Sequence, residues 1–460
     1  MEEKHLFKIS TNSEVLIFIH QYHRGMMKRN EKIKTLLSYS IPSIIAMLLS
    51  TTLTLTDGYF VGNYVGERAL ASIDLGLPIL YLYLGLGLCI GVGGSVITGH
   101  LIGKEDRTKA SEVFSQSIVT AFTISVMTSI LVFLLFNPIL KLLRAEGELA
   151  LHFKAYYTIM LFSYPLLVIT TIFGMFIRTD GKPEVFMGVS LVECAMNFVL
   201  DYIFFKKMNM GVRGSAYATL IVKATSTLIC VLYFLFSSKN IKFKGFSFDK
   251  AIFKTSMLNG SSEFIGEIAG ALSMASFNYV LMKYVGEEGV AAFTILGFSV
   301  YAYNMVTIGF GQGLSPIVAV LWGKNERGEA RDMRDIASNI LFVLGSITAL
   351  VFFFLGKNYA HFFGAGEECA LTVARGFKIY SLTFVFMGYD VIASMYFTSI
   401  GDALTSAIVS ALRGLVLLLF FTFLFSYLWG MDGIWGVAPT TEVLTVIVAF
   451  LFARKEKRKG

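Results

Sequence analysis

The sequence is short of charge: only 15% of its 460 residues are Asp, Glu, Lys or Arg, against about 25% in an ordinary soluble domain. Cysteine is scarce as well. Cys89, Cys194, Cys230 and Cys369 have neither the spacing of a disulfide framework nor that of a zinc site. Proline is held to 7 and tryptophan to 3. The polar–apolar alternation of a membrane barrel is missing. So are the GxxxxGK[ST], HExxH and GxSxG patterns of three enzyme groups. The formal charge of +7 invites a nucleic-acid reading, but Lys and Arg sit in short clusters between apolar stretches and form no basic face. No nucleic acid, metal or cofactor is expected. What fills the chain instead is apolar: 55% hydrophobic, with 42 Phe and 42 Gly. That composition reads as an all-α polytopic membrane protein.

Twelve stretches are long and apolar enough to cross a bilayer, approximately 36–61, 68–101, 113–138, 152–177, 184–206, 213–238, 255–284, 289–322, 336–356, 373–398, 404–428 and 432–453. With the N-terminus inside, the inner connections hold roughly twice as many Lys and Arg as the outer ones, so both termini are expected in the cytoplasm and the protein in the plasma membrane. VLIFI, at 15–19, is too short for a signal-peptide core. Met26-Met27 before KRNEKIK looks like a second start, which makes residues 1–25 an extension without an assigned role.

The chain repeats itself. NYVGERALA at 63–71 matches KYVGEEGVA at 283–291, a shift of 220, and the same shift lays LIGKEDRTKA (101–110) on LWGKNERGEA (321–330). Six spans per repeat is an even number, so the halves are parallel repeats with a ligand site expected between them. The expected organisation is a cytoplasmic segment 1–35, an N-lobe 36–238, a cationic linker 239–254, a C-lobe 255–453 and a basic tail 454–460. The linker's charges suit a solvated loop against lipid headgroups.

TDGYFVGNYVGERALAS (56–72), the P-x14-D spacing from Pro42 to Asp57, the paired GKED and GKNE loops and GVRGSAYAT (211–219) resemble the multidrug and toxic compound extrusion family, in its bacterial DinF/MepA-like branch. The resemblance runs from about residue 30 to the C-terminus. It implies two pseudo-symmetric six-helix bundles around a V-shaped cavity, and export of lipophilic, mostly cationic compounds in exchange for H⁺ or Na⁺. A monomer in lipid is the expected working form. A lipid-linked oligosaccharide flippase or a dedicated metabolite exporter of the same superfamily is the alternative. The flippase would want a cationic cavity, whereas the intramembrane excess here is acidic.

Ionisable groups in hydrocarbon cost roughly 2.5–3.5 kcal/mol on insertion scales, so each needs a partner or a task. Asp57, Asp201 and Thr219 fall at one depth near the outer ends of spans one, five and six, and Asn197 projects one turn from Asp201 on the same face. Two carboxylates, an amide and a hydroxyl at one depth suit a carried proton or a hard cation. They match in type and spacing the family's N-lobe cation site; the bland reading is hydrogen bonding between helices. Glu263 and Glu267 on span seven and Asp390 on span ten form a second acidic set, for substrate cations or a second proton, with a structural role equally open. Glu193 with Lys223, and Arg413 with Glu442, are expected as charge-swapped structural ion pairs in the two halves. Alternatively Glu193, four residues from Asn197, extends the proton path. Pro42 interrupts the first span, as a bend that rearranges the N-lobe site or as a fixed kink.

Overall fold

The computed structural model describes residues 28–284 and 287–459. Residues 1–27, with the expected N-terminal extension, lie outside the described residues, as do two residues of the second repeat motif. Everything regular among the described residues is helical: α1 (Arg29–Tyr64), α2 (Glu67–Asp74), α3 (Leu77–Gly103), α4 (Arg107–Leu134), α5 (Phe136–Leu142), α6 (Gly147–Thr179), α7 (Pro183–Tyr202) and α8 (Val212–Phe236). The second half follows with α9 (Lys250–Tyr284), α10 (Glu287–Gly323), α11 (Arg327–Phe362), α12 (Glu367–Tyr380), α13 (Leu382–Ser399), α14 (Ala403–Ala411) and α15 (Leu417–Lys459). Among the described residues, nine helical stretches are long and apolar enough to cross a membrane, or ten when α12 and α13, bent by 49° at Ser381, count as one span. The last of the nine is two rods, because Gly430 breaks α15 with φ 58° and ψ −130°, a conformation that costs a glycine little. Each of the twelve expected spans is helical through most of its length.

Local signals explain the helix ends. Asp106 Oδ1 accepts from Lys109 N at 3.0 Å and caps α4, and Asp402 Oδ1 accepts from Thr405 N at 3.2 Å and caps α14. The first cap sits in the repeated GKED loop. Two helices widen into π-helical turns, α7 at Ile203–Lys207 and α14 at Leu412–Val416. The first begins two residues after Asp201, and the second contains Arg413. Such turns displace side chains from α-helical register and recur at functional positions.

Each half has its own core. Phe114, Phe173, Phe176 and Phe234 pack together in the first, and Tyr303, Phe377, Phe384 and Trp435 in the second. The halves meet where α1 lies on α10 and where α3 lies on α9 and α10. At the face where α1 begins (the near face) this seam is too tight for side chains. A Cβ on Gly93 would overlap the carbonyl of Ser256, one on Gly260 the carbonyl of Cys89, and one on Gly323 the carbonyl of His100. Polar ties close the same end. Lys32 Nζ lies 2.8 Å from Glu329 Oε2 and 2.6 Å from Asp332 Oδ2, and His100 Nε2 is 2.8 Å from the carbonyl oxygen of Ser399.

Toward the far face the same helices part. Gly58, Gly266, Gly270 and Gly297 have open space where a Cβ would go, and Leu55, Tyr59, Tyr279 and Tyr301 are exposed. The molecule is therefore closed at the near face and open at the far one. Gly93→Val should hold the near face apart, because the new side chain meets backbone, which cannot step aside. A cysteine placed at the buried Ser40, in a chain freed of its four native cysteines, should then label at least about tenfold faster with a polar thiol reagent. Unchanged labelling would mean that the seam tolerates the added volume.

The segment between the halves is strapped to α4. The amides of Lys242 and Lys244 donate to Ser111 Oγ (3.1 Å) and Ser115 Oγ (2.9 Å). Gln116 clasps Asp249 twice, its Nε2 donating to the backbone oxygen and its Oε1 accepting from the backbone nitrogen. Asp180, in the turn after α6, anchors the start of the strap by accepting from Tyr233 Oη (2.6 Å) and Asn240 N (3.1 Å). Burial pushes its carboxyl above the usual carboxylate range, against the pull of those hydrogen bonds.

Candidate functional site

One acidic site lies in the first half, near the far ends of three helices. α1 carries Asp57 seven residues before its end, α7 brings Asn197 and Asp201 on one face, and α8 brings Thr219 from the opposite direction. Asn197 Nδ2 donates to Asp57 Oδ1 at 2.9 Å. The carboxylates of Asp57 and Asp201 face each other, and Thr219 also faces Asp57. Asn197 and Asp201 are fully buried, Thr219 is buried, and Asp57 is half-buried.

The balance of donors and acceptors is lopsided. Both oxygens of Asp201, Oδ1 of Asn197, Oγ1 of Thr219 and Oγ of Ser215 are buried without a conventional hydrogen-bond partner. Buried polar atoms are almost always satisfied, so a knot of orphan oxygens calls for an explanation. A shared proton between the carboxylates, or a small cation among the oxygens, would satisfy it. Ser215 was not expected from sequence, although it stands four residues before Thr219 and so on the same face of α8. Tyr156, buried on α6, borders the two carboxylates and had no signal beyond its residue type.

In the second half, Glu263 and Glu267 lie on α9 against the seam. The Cβ position of Gly85 on α3 is 3.7 Å from Cβ of Glu267, and Cys89 of the same helix borders Glu263. Both glutamates are half-buried and stand where the halves begin to part. Asp390 is elsewhere. It is fully buried on α13 and faces Glu442, which in turn takes Arg413 Nε at 3.0 and 3.1 Å. Arg413 Nη2 reaches Asn304 Oδ1 at 3.4 Å. The second half thus holds two carboxyl groups around one guanidinium, and both oxygens of Asp390 lack a conventional partner.

Glu193 and Lys223 are both buried and meet at 2.8 Å on α7 and α8, one turn from Asn197. Pro42 lies inside α1, on the stretch that packs on α10: a Cβ on Gly313 would press on the Ser40 backbone, and one on Gly309 on that of Ile44. It is 15 residues from Asp57, or about 22 Å along a helix. Among the described residues, no three of His, Cys, Asp or Glu come together as metal ligands would.

Comparison with known proteins places this arrangement. The MatE family model matches residues 42–203 and again 264–424, one match in each half. The multidrug export protein MepA of Staphylococcus saprophyticus is 23% identical over 427 residues, covering 92% of this chain and 94% of that one. MepA of Staphylococcus aureus is 23% identical over 420 residues, covering 91% and 92%. Among solved structures, an outward-facing multidrug resistance MATE transporter of the MOP superfamily superposes with TM-score 0.87 at 22% identity, covering 94% of this chain and 98% of its own. A MOP superfamily transporter from Pyrococcus furiosus, whose binding pocket is described as of reverse polarity, superposes with TM-score 0.85 at 22% identity, covering 92% and 96%. With the family model matched twice over most of the chain, and its helices laid out as in those structures, the protein belongs to the MatE family of membrane transporters.

Proposed function

We propose that the protein is a secondary-active efflux antiporter, exporting lipophilic, mostly cationic compounds from the cytoplasm in exchange for inward H⁺ or Na⁺. The observation that carries this reading is the set of orphan oxygens around Asp57 and Asp201, in a chain closed at its near face and open at its far one. The MepA relatives, named for multidrug export, support it. In this scheme the near face is cytoplasmic, and residues 36–238 and 255–453 rock as lobes. A proton or cation on Asp57, Asn197, Asp201 and Thr219 favours one tilt, and cargo between the lobes favours the other. Coupling requires each ligand to prefer a different state. Glu263 and Glu267 at the parting of the halves attract the cationic cargo. Asp390, held against Glu442 and Arg413, is a candidate for a second proton. Glu193–Lys223 and Arg413–Glu442 are structural pairs, and Pro42 shapes the stretch of α1 that seals against α10. The protein works as a monomer in the plasma membrane, both termini cytoplasmic, with no cofactor beyond the coupling ion.

A dedicated metabolite exporter or a lipid-linked oligosaccharide flippase remains the second reading, and the acidic character of the interior argues against an anionic pyrophosphate cargo. Ethidium efflux from cells lacking their own exporters, under separately imposed proton and sodium gradients, distinguishes them. Efflux driven by one gradient names the ion. A well-inserted protein that moves no ethidium under either would overturn the multidrug reading in favour of a dedicated cargo.

A further inference from the structure

Arg178, in the last turn of α6, is the most deeply buried guanidinium of the near face, at 3% exposure. No carboxylate within ion-pair distance accompanies it among the described residues. Its Nε donates to Ser43 Oγ at 3.1 Å and its Nη1 to the Met175 sulfur at 3.6 Å, a weak acceptor. The guanidinium lies 4.8 Å from the centre of the Phe186 ring, which offers partial compensation. Among the described residues, its other three N–H groups have no protein acceptor. Among the described residues, the other buried cations, Lys32 and Lys223, each have a carboxylate, as does half-buried Arg413.

Arg178 lines a small chamber on the seam between the halves. Ser95 and Thr179 join it from the first half, and Gln312, Ser315 and Met395 from the second. The space has room for one small particle. Gln312 is buried, and its Oε1 has no hydrogen-bond partner. Ser315 shares a 2.8 Å hydrogen bond with Ser399. An uncompensated buried charge is costly, and a single small counter-ion is the simplest remedy for one inside a polar chamber of this size.

We propose that this chamber is a binding site for a small monovalent anion of the size of chloride, held by Arg178 with the amide of Gln312 turned to donate and the Ser315 hydroxyl beside it. Both halves supply its walls, so the site exists only while the near face is closed. The anion therefore stabilises the closed-seam state, and opening releases it. Linkage sets the size of the effect: at ten times the dissociation constant, the closed state gains about elevenfold in weight.

The test compares thermal unfolding of the purified full-length protein in chloride and in gluconate at one ionic strength, with bromide anomalous scattering from its crystals. The wild type should unfold at higher temperature in chloride, and a bromide peak should lie beside the Arg178 guanidinium. Arg178→Gln should abolish the difference between the two anions. Gln312→Leu, which leaves the charge in place, should weaken it and covers the case in which Arg178→Gln does not fold. Equal midpoints in the wild type with no bromide peak would leave the chamber a water site and end the proposal. So would an anion response that survives both substitutions.

Discussion

Asp57→Asn and Asp201→Asn should each insert and fold, yet lose gradient-driven efflux by at least about tenfold. Asn keeps the shape of the carboxylate but cannot take up and release a proton, and it carries no charge for a cation. At position 57 it also removes the oxygen charge that now accepts from Asn197 Nδ2. The two substitutions should not be additive, because the facing carboxylates act as one unit. The double variant is therefore expected to be no worse than either single one. The measurement is ethidium efflux normalised to inserted protein, with equilibrium ethidium binding alongside. Binding should persist while coupling is lost, since the proposed function puts the cargo between the halves and the ion site inside the first. Retained, ion-dependent efflux in either variant would reduce Asp57 and Asp201 to helix-packing groups.

The second large effect falls on stability. Lys223→Ala should destabilise the protein by about 3–5 kcal/mol, because it strands the Glu193 carboxylate in a buried place from which water is excluded. The expected signs are a large drop in the unfolding midpoint and in the amount of protein recovered from membranes. Replacing both partners by apolar residues of similar volume, Glu193→Leu with Lys223→Met, should recover most of the loss, since a buried pair contributes little beyond its own desolvation. The charge-reversed double variant, Glu193→Lys with Lys223→Glu, should recover part of it. A reversed pair that folds but does not transport would move Glu193 from scaffold to proton path, a reading its one-turn distance from Asn197 keeps in view.

The fold class was legible in the sequence because a spanning helix needs only length and apolarity, and because the repeats fixed how many helices each half holds. The contact between Glu193 and Lys223 followed from depth alone, since two opposite charges at mid-membrane on adjacent helices have few other partners. The same reasoning put Arg413 beside Glu442. Depth could not decide azimuth, however. Asp390 shares its depth with Glu263 and Glu267 but faces Glu442 instead, inside the second half. The π-helical turns after Asp201 and around Arg413 add to this blindness, as a locally widened helix breaks the 3.6-residue count on which facing arguments depend. Arg178 escaped notice for a simpler reason. An arginine in a connection reads as a topology signal, and nothing in its neighbours shows that the loop folds inward.

The strap along α4 has a mechanical consequence. Its backbone is fastened as far as Asp249, and Asp249 Oδ1 then accepts from the amides of Ala251 and Ile252, so the chain enters α9 with no slack residue in between. This segment joins the halves covalently at the near face. The opposite edge is a lever arm of about 30 Å, so turning through about 10° there swings the far ends by about 5 Å, close to one helical turn. If the halves turn about that joint, small rearrangements beside it would be geared up at the far face, and lengthening the joint by a few flexible residues should slip that gear.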